Sequence, residues 1–183
     1  MAVVLAMDSE FSVAILTMPI EQSAPSPSPA EPLAPFNAWP LQFSDPDVGF
    51  AWYTHAATLV TQATPTHATS YAADVLSNWV DQVLESHHEE INHYGGLLGI
   101  HDWRRFRSYD SEARRRWLQR IERRPKGYLR KGVIIVLDNP LLKMAVAGAN
   151  MAVALASGGE SQFEIATNAL QTLQKYDVRR PLL

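Results

Sequence analysis

Prolines decide what the first quarter of this chain can become. Eight of the twelve fall between Pro19 and Pro46, in PIEQSAPSPSPAEPLAPFNAWPLQFSDP. Each one fixes φ and removes a backbone donor, so this stretch can be neither a helix interior nor a central strand. Its beginning is linker-like in composition. Leu33, Phe36, Trp39, Leu41 and Phe43 are nevertheless too apolar for a spacer. Residues 19–48 therefore read as an extended proline-rich strap that docks aromatics, above all Phe36 and Trp39, on this domain or on another chain.

Regular patterns lie on both sides of the strap. AVVLAM and FSVAILTM, separated by the polar DSE, read as an N-terminal β-hairpin over residues 1–18. GFAWYTHAATLVTQA (49–63) is β-like, as one long or two short strands. Ala72, Val75, Leu76, Trp79, Val80, Val83, Leu84 and Ile91 then recur at helical spacing. Thr66 or Thr69 stands at the start of that helix and Gly95 at its end. GGLLGIH (95–101) reads as a short buried strand. SEARRRWLQRIERR follows as a helix with Asp110 or Ser111 at its N-cap and Ala113, Trp117, Leu118 and Ile121 inward. GVIIVLD (132–138) is a buried strand. Asn139 and Pro140 open an apolar helix over 140–157, with Gly148, Ala152 and Ala156 on one side. SQFEIATNALQTLQKY reads as a last helix, with Ser161 and Glu164 at capping-box spacing and Phe163, Ala166, Leu170 and Leu173 on one face. Alternating strands and helices of this kind predict an α/β domain over 49–183, a mixed sheet with helices packed on it.

Charge is divided along the chain more sharply than the net value of -3 suggests. Residues 1–103 hold twelve Asp and Glu and no Lys or Arg, whereas 104–131 hold twelve Lys and Arg against Asp110, Glu112 and Glu122. The basic segment can pair with the acidic half inside one molecule, face an anionic partner, or join copies of the chain head to tail. Phe106, Tyr109, Trp117 and Tyr128 interleave with it in a way that suits nucleic acid. The chain as a whole is acidic, however, and Trp117 falls on the apolar helix face, so a nucleic-acid partner is disfavoured.

Other function classes are excluded by what the residues lack. There is no cysteine, which removes disulfides, thiolate chemistry and Cys-type zinc sites and fits a reducing compartment. MAVVLAMDSEF has no basic n-region, so a cytoplasmic protein is expected. A membrane span needs about 17–25 apolar residues; the 140–157 run is interrupted by Lys143 and Asn150 and draws much of its length from alanine, so a buried helix or an oligomer contact is expected instead. HHEEINH (87–93) places Glu89 and His93 four apart with His88 near, but has no HExxH form, so no metal is expected. His101 and Asp102 are adjacent on a strand and point to opposite faces. No phosphate loop, nucleophile elbow or cofactor motif is present, and neither catalysis nor a cofactor is expected.

One resemblance is carried by the centre of the chain. Asp102 ends the 95–101 strand, and the pair Asp110-Ser111 opens the next helix eight positions later. This resembles anti-sigma-factor antagonist (STAS) domains, or STAS/SEC14-like proteins, over roughly residues 49–176, with the order hairpin, helix, strand, helix, strand, helix. The likeness departs from the pattern at Glu112-Ala113, where the family follows its Asp-Ser pair with Ser or Thr and then Gly. The family commonly has a further strand before its last helix as well, for which SGGESQFEI leaves little room. The resemblance implies a switch by phosphorylation at Ser111, with Asp110 and Asp102 beside it. A phosphate at a helix N-terminus meets unpaired N–H groups, and Arg107, Arg114 and Arg115 lie close in sequence. The bland alternative is a plain helix cap. The functional reading is a non-enzymatic protein-interaction or regulatory module. One alternative is a carrier whose helix 140–157 and sheet enclose a lipid or other apolar ligand; another is an assembly protein that self-associates through its strap.

Overall fold

The computed structural model describes residues 31–137 and 163–182. The expected hairpin of 1–18, the strap before Glu31, the helix over 140–157 and Ser161 lie outside the described residues. Eight strands and four α-helices are described: β1 (Phe43–Asp45), β2 (Gly49–Thr54), β3 (Thr58–Ala63), β4 (His67–Ala68), α1 (Ser70–Ser86), α2 (His88–His93), β5 (Leu97–Asp102), β6 (Ser108–Tyr109), α3 (Ser111–Arg123), β7 (Leu129–Ile135), β8 (Phe163–Ala166) and α4 (Ala169–Lys175). A 3-10 turn covers Phe36–Ala38.

Six strands form one mixed sheet in the order β1-β2-β3-β5-β7-β8. The first three are antiparallel neighbours and the last three join in parallel. Every step from β3 onward moves the same way across the sheet. Crossovers of constant hand that advance in one direction put their helices on one face, and α1 and α3 do pack on each other. That arrangement leaves the second face of the sheet to be covered by something else.

The cover is the strap together with α4. Phe36 is fully buried and Trp39 nearly so, in one cluster with Phe50, Trp52, Val60, Leu98, Ile100, Val133, Ile135, Ala169 and Leu173. Trp52 is the centre of it. Its ring stacks on Phe36 at 5.6 Å, meets Trp39 edge-on at 5.5 Å, and donates its indole N–H to the Pro40 carbonyl at 3.0 Å. A buried indole needs such an acceptor, and a chain too rich in proline to pair along its length can still offer carbonyls. From Leu33 onward, the strap is thus built into the domain, and Phe43–Asp45 adds an edge strand to its sheet. The opposite face carries Ala57, Leu59 and Leu97 under Val80 and Ile91. Successive residues of β5, Leu97 and Leu98, fall in the two different clusters, as strand alternation requires.

Three sequence expectations need correction. The helix expected to run through Ile91 breaks at His87, whose φ of -121° is not helical. Its start is as expected, with the Thr69 side chain accepting from the Ala72 amide, and Gly95 adopts the positive φ of a helix end at 71°. The buried strand expected over 132–138 is β7, which begins earlier, at Leu129, and ends at Ile135. The last expected helix is instead the parallel strand β8, paired to β7 from Gly132↔Phe163 to Ile135↔Ala166, followed by α4. The Asn168 side chain caps α4 by accepting from the Gln171 amide. Glu164 does not serve a capping box; it binds Lys131, Lys175 and the Tyr176 hydroxyl, which hold its carboxyl down at about 2. No helix among the described residues is long and apolar enough to cross a membrane.

Candidate functional site

The α3 arginines face two ways. Arg116 is bonded to Asp74, Arg120 lies 3.3 Å from Asp81, and Arg124 Nε lies 2.8 Å from Asp81, so one side of α3 is locked onto the acidic side of α1. Intramolecular pairing therefore absorbs part of the charge division seen in the sequence. Ala113 is buried on this side, whereas Trp117, Leu118 and Ile121 are half-buried.

At the N-terminal end of α3 the local structure is built by caps and a small ladder. β4 and β6 pair in parallel, and the Asp110 amide donates to the Ala68 carbonyl, which positions the start of the helix. Asp110 is the N-cap: its Oδ1 accepts from the Ala113 amide. Ser111 is the first helical residue, exposed, with no side-chain partner among the described residues. Arg114 is exposed and likewise without an acid among the described residues. Arg107 is exposed and donates through Nη1 to the Arg104 and Phe106 carbonyls. Arg115 is already engaged, gripping Glu112 at 2.8 and 2.6 Å. Together with Arg116 it holds the Glu112 carboxyl down at about 2.

Asp102 is not part of that cluster. It follows Leu98 and Ile100 in the alternation of β5 and turns toward the strap, while α3 packs on the other side of the sheet. Its carboxylate is buried and accepts four hydrogen bonds: Gln62 Nε2 at 2.6 Å, Arg104 Nη2 at 2.7 Å, Arg104 Nε at 2.8 Å and the Arg104 amide at 3.1 Å. The network continues into the strap. Arg104 Nη2 donates to the Ala34 carbonyl at 2.7 Å, and the Leu33 amide donates to Gln62 Oε1 at 2.6 Å. Gln62 and Arg104 tie Asp102 to the strap, a connection that spacing alone does not reveal. The partners are far apart in sequence, and only burial of a strand-end glutamine signals them.

His101 faces the α1 and α3 side, where its Nδ1 lies 2.9 Å from Thr61 Oγ1. Burial first, and the nearby Arg124 cation second, push the imidazole down from 6.5 to about 4. A folded-state value below the unfolded one means that the native protein binds fewer protons between the two. Stability is then complete above pH 6.5 and falls as the pH drops toward 4. The loss over that interval is about 3 kcal/mol for this group. Urea unfolding at several pH values should show this slope, and His101→Gln should flatten it. Glu112 and Glu164 add their own losses only nearer the ordinary carboxylate range and below.

His88 and His93 sit on α2, and among the described residues no three His, Cys, Asp or Glu side chains converge as a metal site. No protein-family model, no curated protein and no solved structure matches this chain.

Proposed function

We propose that the chain is a non-enzymatic, STAS-like regulatory module that works in the cytoplasm and engages a protein partner through the N-terminal end of α3, with Ser111 as the phosphorylated switch. The observation that carries this reading is the unequal use of the arginines. Arg116, Arg120 and Arg124 are spent on Asp74 and Asp81. Arg107 and Arg114 flank an exposed serine and have no acid among the described residues. A phosphate on Ser111 would meet the first-turn amides and these guanidiniums, withdrawing them from an acidic partner surface. Asp102 has no part in this switch.

Because Asp110 already caps α3, Ser111→Ala should change stability by no more than about 0.5 kcal/mol, whereas Asp110→Ala should cost about 1 kcal/mol. Wild-type, Ser111→Ala and Ser111→Asp proteins, immobilised at equal density, would be used to capture partners from cell extract. Phosphate on Ser111 would be sought by mass spectrometry. The proposal expects phosphate on Ser111 and a partner retained by the Ala form but lost by the Asp form. Identical partner sets with no phosphate would leave Ser111 a surface residue beside a helix cap.

A further inference from the structure

Between α1 and the free end of the β2–β3 hairpin lies an open groove of about 730 Å³, within the size range of small-molecule sites. Its floor is aromatic. The rings of Tyr53 and His87 stack 4.2 Å apart, and Trp79 stands beside them, packed on Phe43 at 5.7 Å. The acids are occupied. Glu90 accepts from the Tyr53 hydroxyl at 2.8 Å and from the Ala57 amide at 3.4 Å, and Asp177 holds Arg179 at 2.9 Å. Burial and the Glu90 carboxylate raise the Tyr53 hydroxyl well above its ordinary range, so it stays a neutral donor to Glu90.

The chain's last described residues, Arg179 to Leu182, line the groove as well. Thr54 Oγ1 donates to the Arg179 carbonyl at 2.7 Å, and Pro181 is buried, which seats this segment against β2. Arg180 lines the groove, is exposed, and has no acidic partner among the described residues. The exposed Gln82 and Ser86 supply uncharged hydrogen-bonding groups on the α1 wall. Among the described residues the groove therefore offers a π surface, uncharged hydrogen-bonding groups, the Glu90 carboxylate, which its neutral donors leave charged, and Arg180, a cation with no acidic partner.

We infer that this groove binds a small planar aromatic ring bearing a carboxylate, with the ring against Tyr53, His87 and Trp79 and the anion toward Arg180. Stacking favours planar rings over aliphatic ones of equal size, and the Arg180 guanidinium, which has no acidic partner among the described residues, draws the carboxylate to its end of the groove. This site is separate from Ser111 and does not depend on the switch. Its test uses probes that share a ring and differ in charge.

Indole-3-acetate, tryptamine and acetate would each be titrated into ¹⁵N-labelled protein and followed by amide and indole chemical shifts. Indole-3-acetate should bind with a Kd of about 1 mM or tighter, moving the signals of Trp79 and the 82–87 amides. Tryptamine and acetate should bind at least about tenfold more weakly. Arg180→Gln should bring indole-3-acetate down to the level of tryptamine. Ser86→Trp, a change at an exposed position, should block the groove without unfolding α1. Tryptamine binding as well as indole-3-acetate, shifts confined to another surface, indifference to Ser86→Trp, or no shift up to about 10 mM would each overturn the assignment.

Discussion

Asp102→Ala is expected to lower stability by about 3–5 kcal/mol, which is the range for breaking a buried ion pair by removing one partner. The side chain is wholly inaccessible, and its four donors come from only two residues, Gln62 and Arg104. Without the carboxylate the Arg104 guanidinium would keep a single acceptor, the Ala34 carbonyl. Gln62 would keep the Leu33 amide on its Oε1, but its Nε2 would be left with a weak 3.4 Å contact to the Leu33 carbonyl. Arg104→Ala should be as damaging, since it strands a buried anion. Replacing both residues together, Asp102→Leu with Arg104→Met, should cost much less than the sum, because no charge is then left unpaired. Urea unfolding of the wild type, Asp102→Leu, Arg104→Met and the double variant makes a double-mutant cycle. A loss under about 1 kcal/mol for Asp102→Ala, or additive costs for the pair, would show that the network is solvated in solution.

The same residue marks the limit of what spacing can say. Asp102 and Asp110 are eight apart, and counted along the chain they invite a single site. In the fold, strand alternation turns Asp102 toward the strap, while Asp110 begins a helix on the far side. Nothing in local sequence reports which face of a sheet a strand-end acid meets. That depends on how the later crossovers stack.

Features that rest on local physics are legible. Thr69 and Asp110 are short polar residues just before amphipathic runs, and both cap helices. The aliphatic core of β7 is evident from its β-branched run alone. β8 is not, because Phe163-Glu164-Ile165-Ala166 is only four residues long and Ser161 and Glu164 imitate a capping box. Pairing with β7 decides that segment, and pairing is a tertiary fact. The groove is illegible for a related reason. Its walls come from residues near 53, 83 and 180, which no window of the sequence holds together.

Phe36→Ala is expected to cost about 3–5 kcal/mol, as deletion of a fully buried aromatic side chain does. Trp39→Ala should fall in the same range. The reason is topological before it is local. A sheet whose crossovers all advance one way receives α1 and α3 on a single face, so the other face depends on the strap and α4. Phe36, Trp39, Phe50 and Trp52 form one aromatic cluster there, with Phe36 stacked on Trp52 and edge-on to Trp39 at 5.1 Å. Phe36→Leu keeps most of the volume and should lose clearly less, about 1–2 kcal/mol. Sedimentation run beside the unfolding measurements separates the alternatives. If the strap covers its own domain, Phe36→Ala lowers the denaturation midpoint and leaves subunit number unchanged. Were Phe36 instead to dock on a neighbouring copy, the variant would dissociate an oligomer and its midpoint would depend on protein concentration.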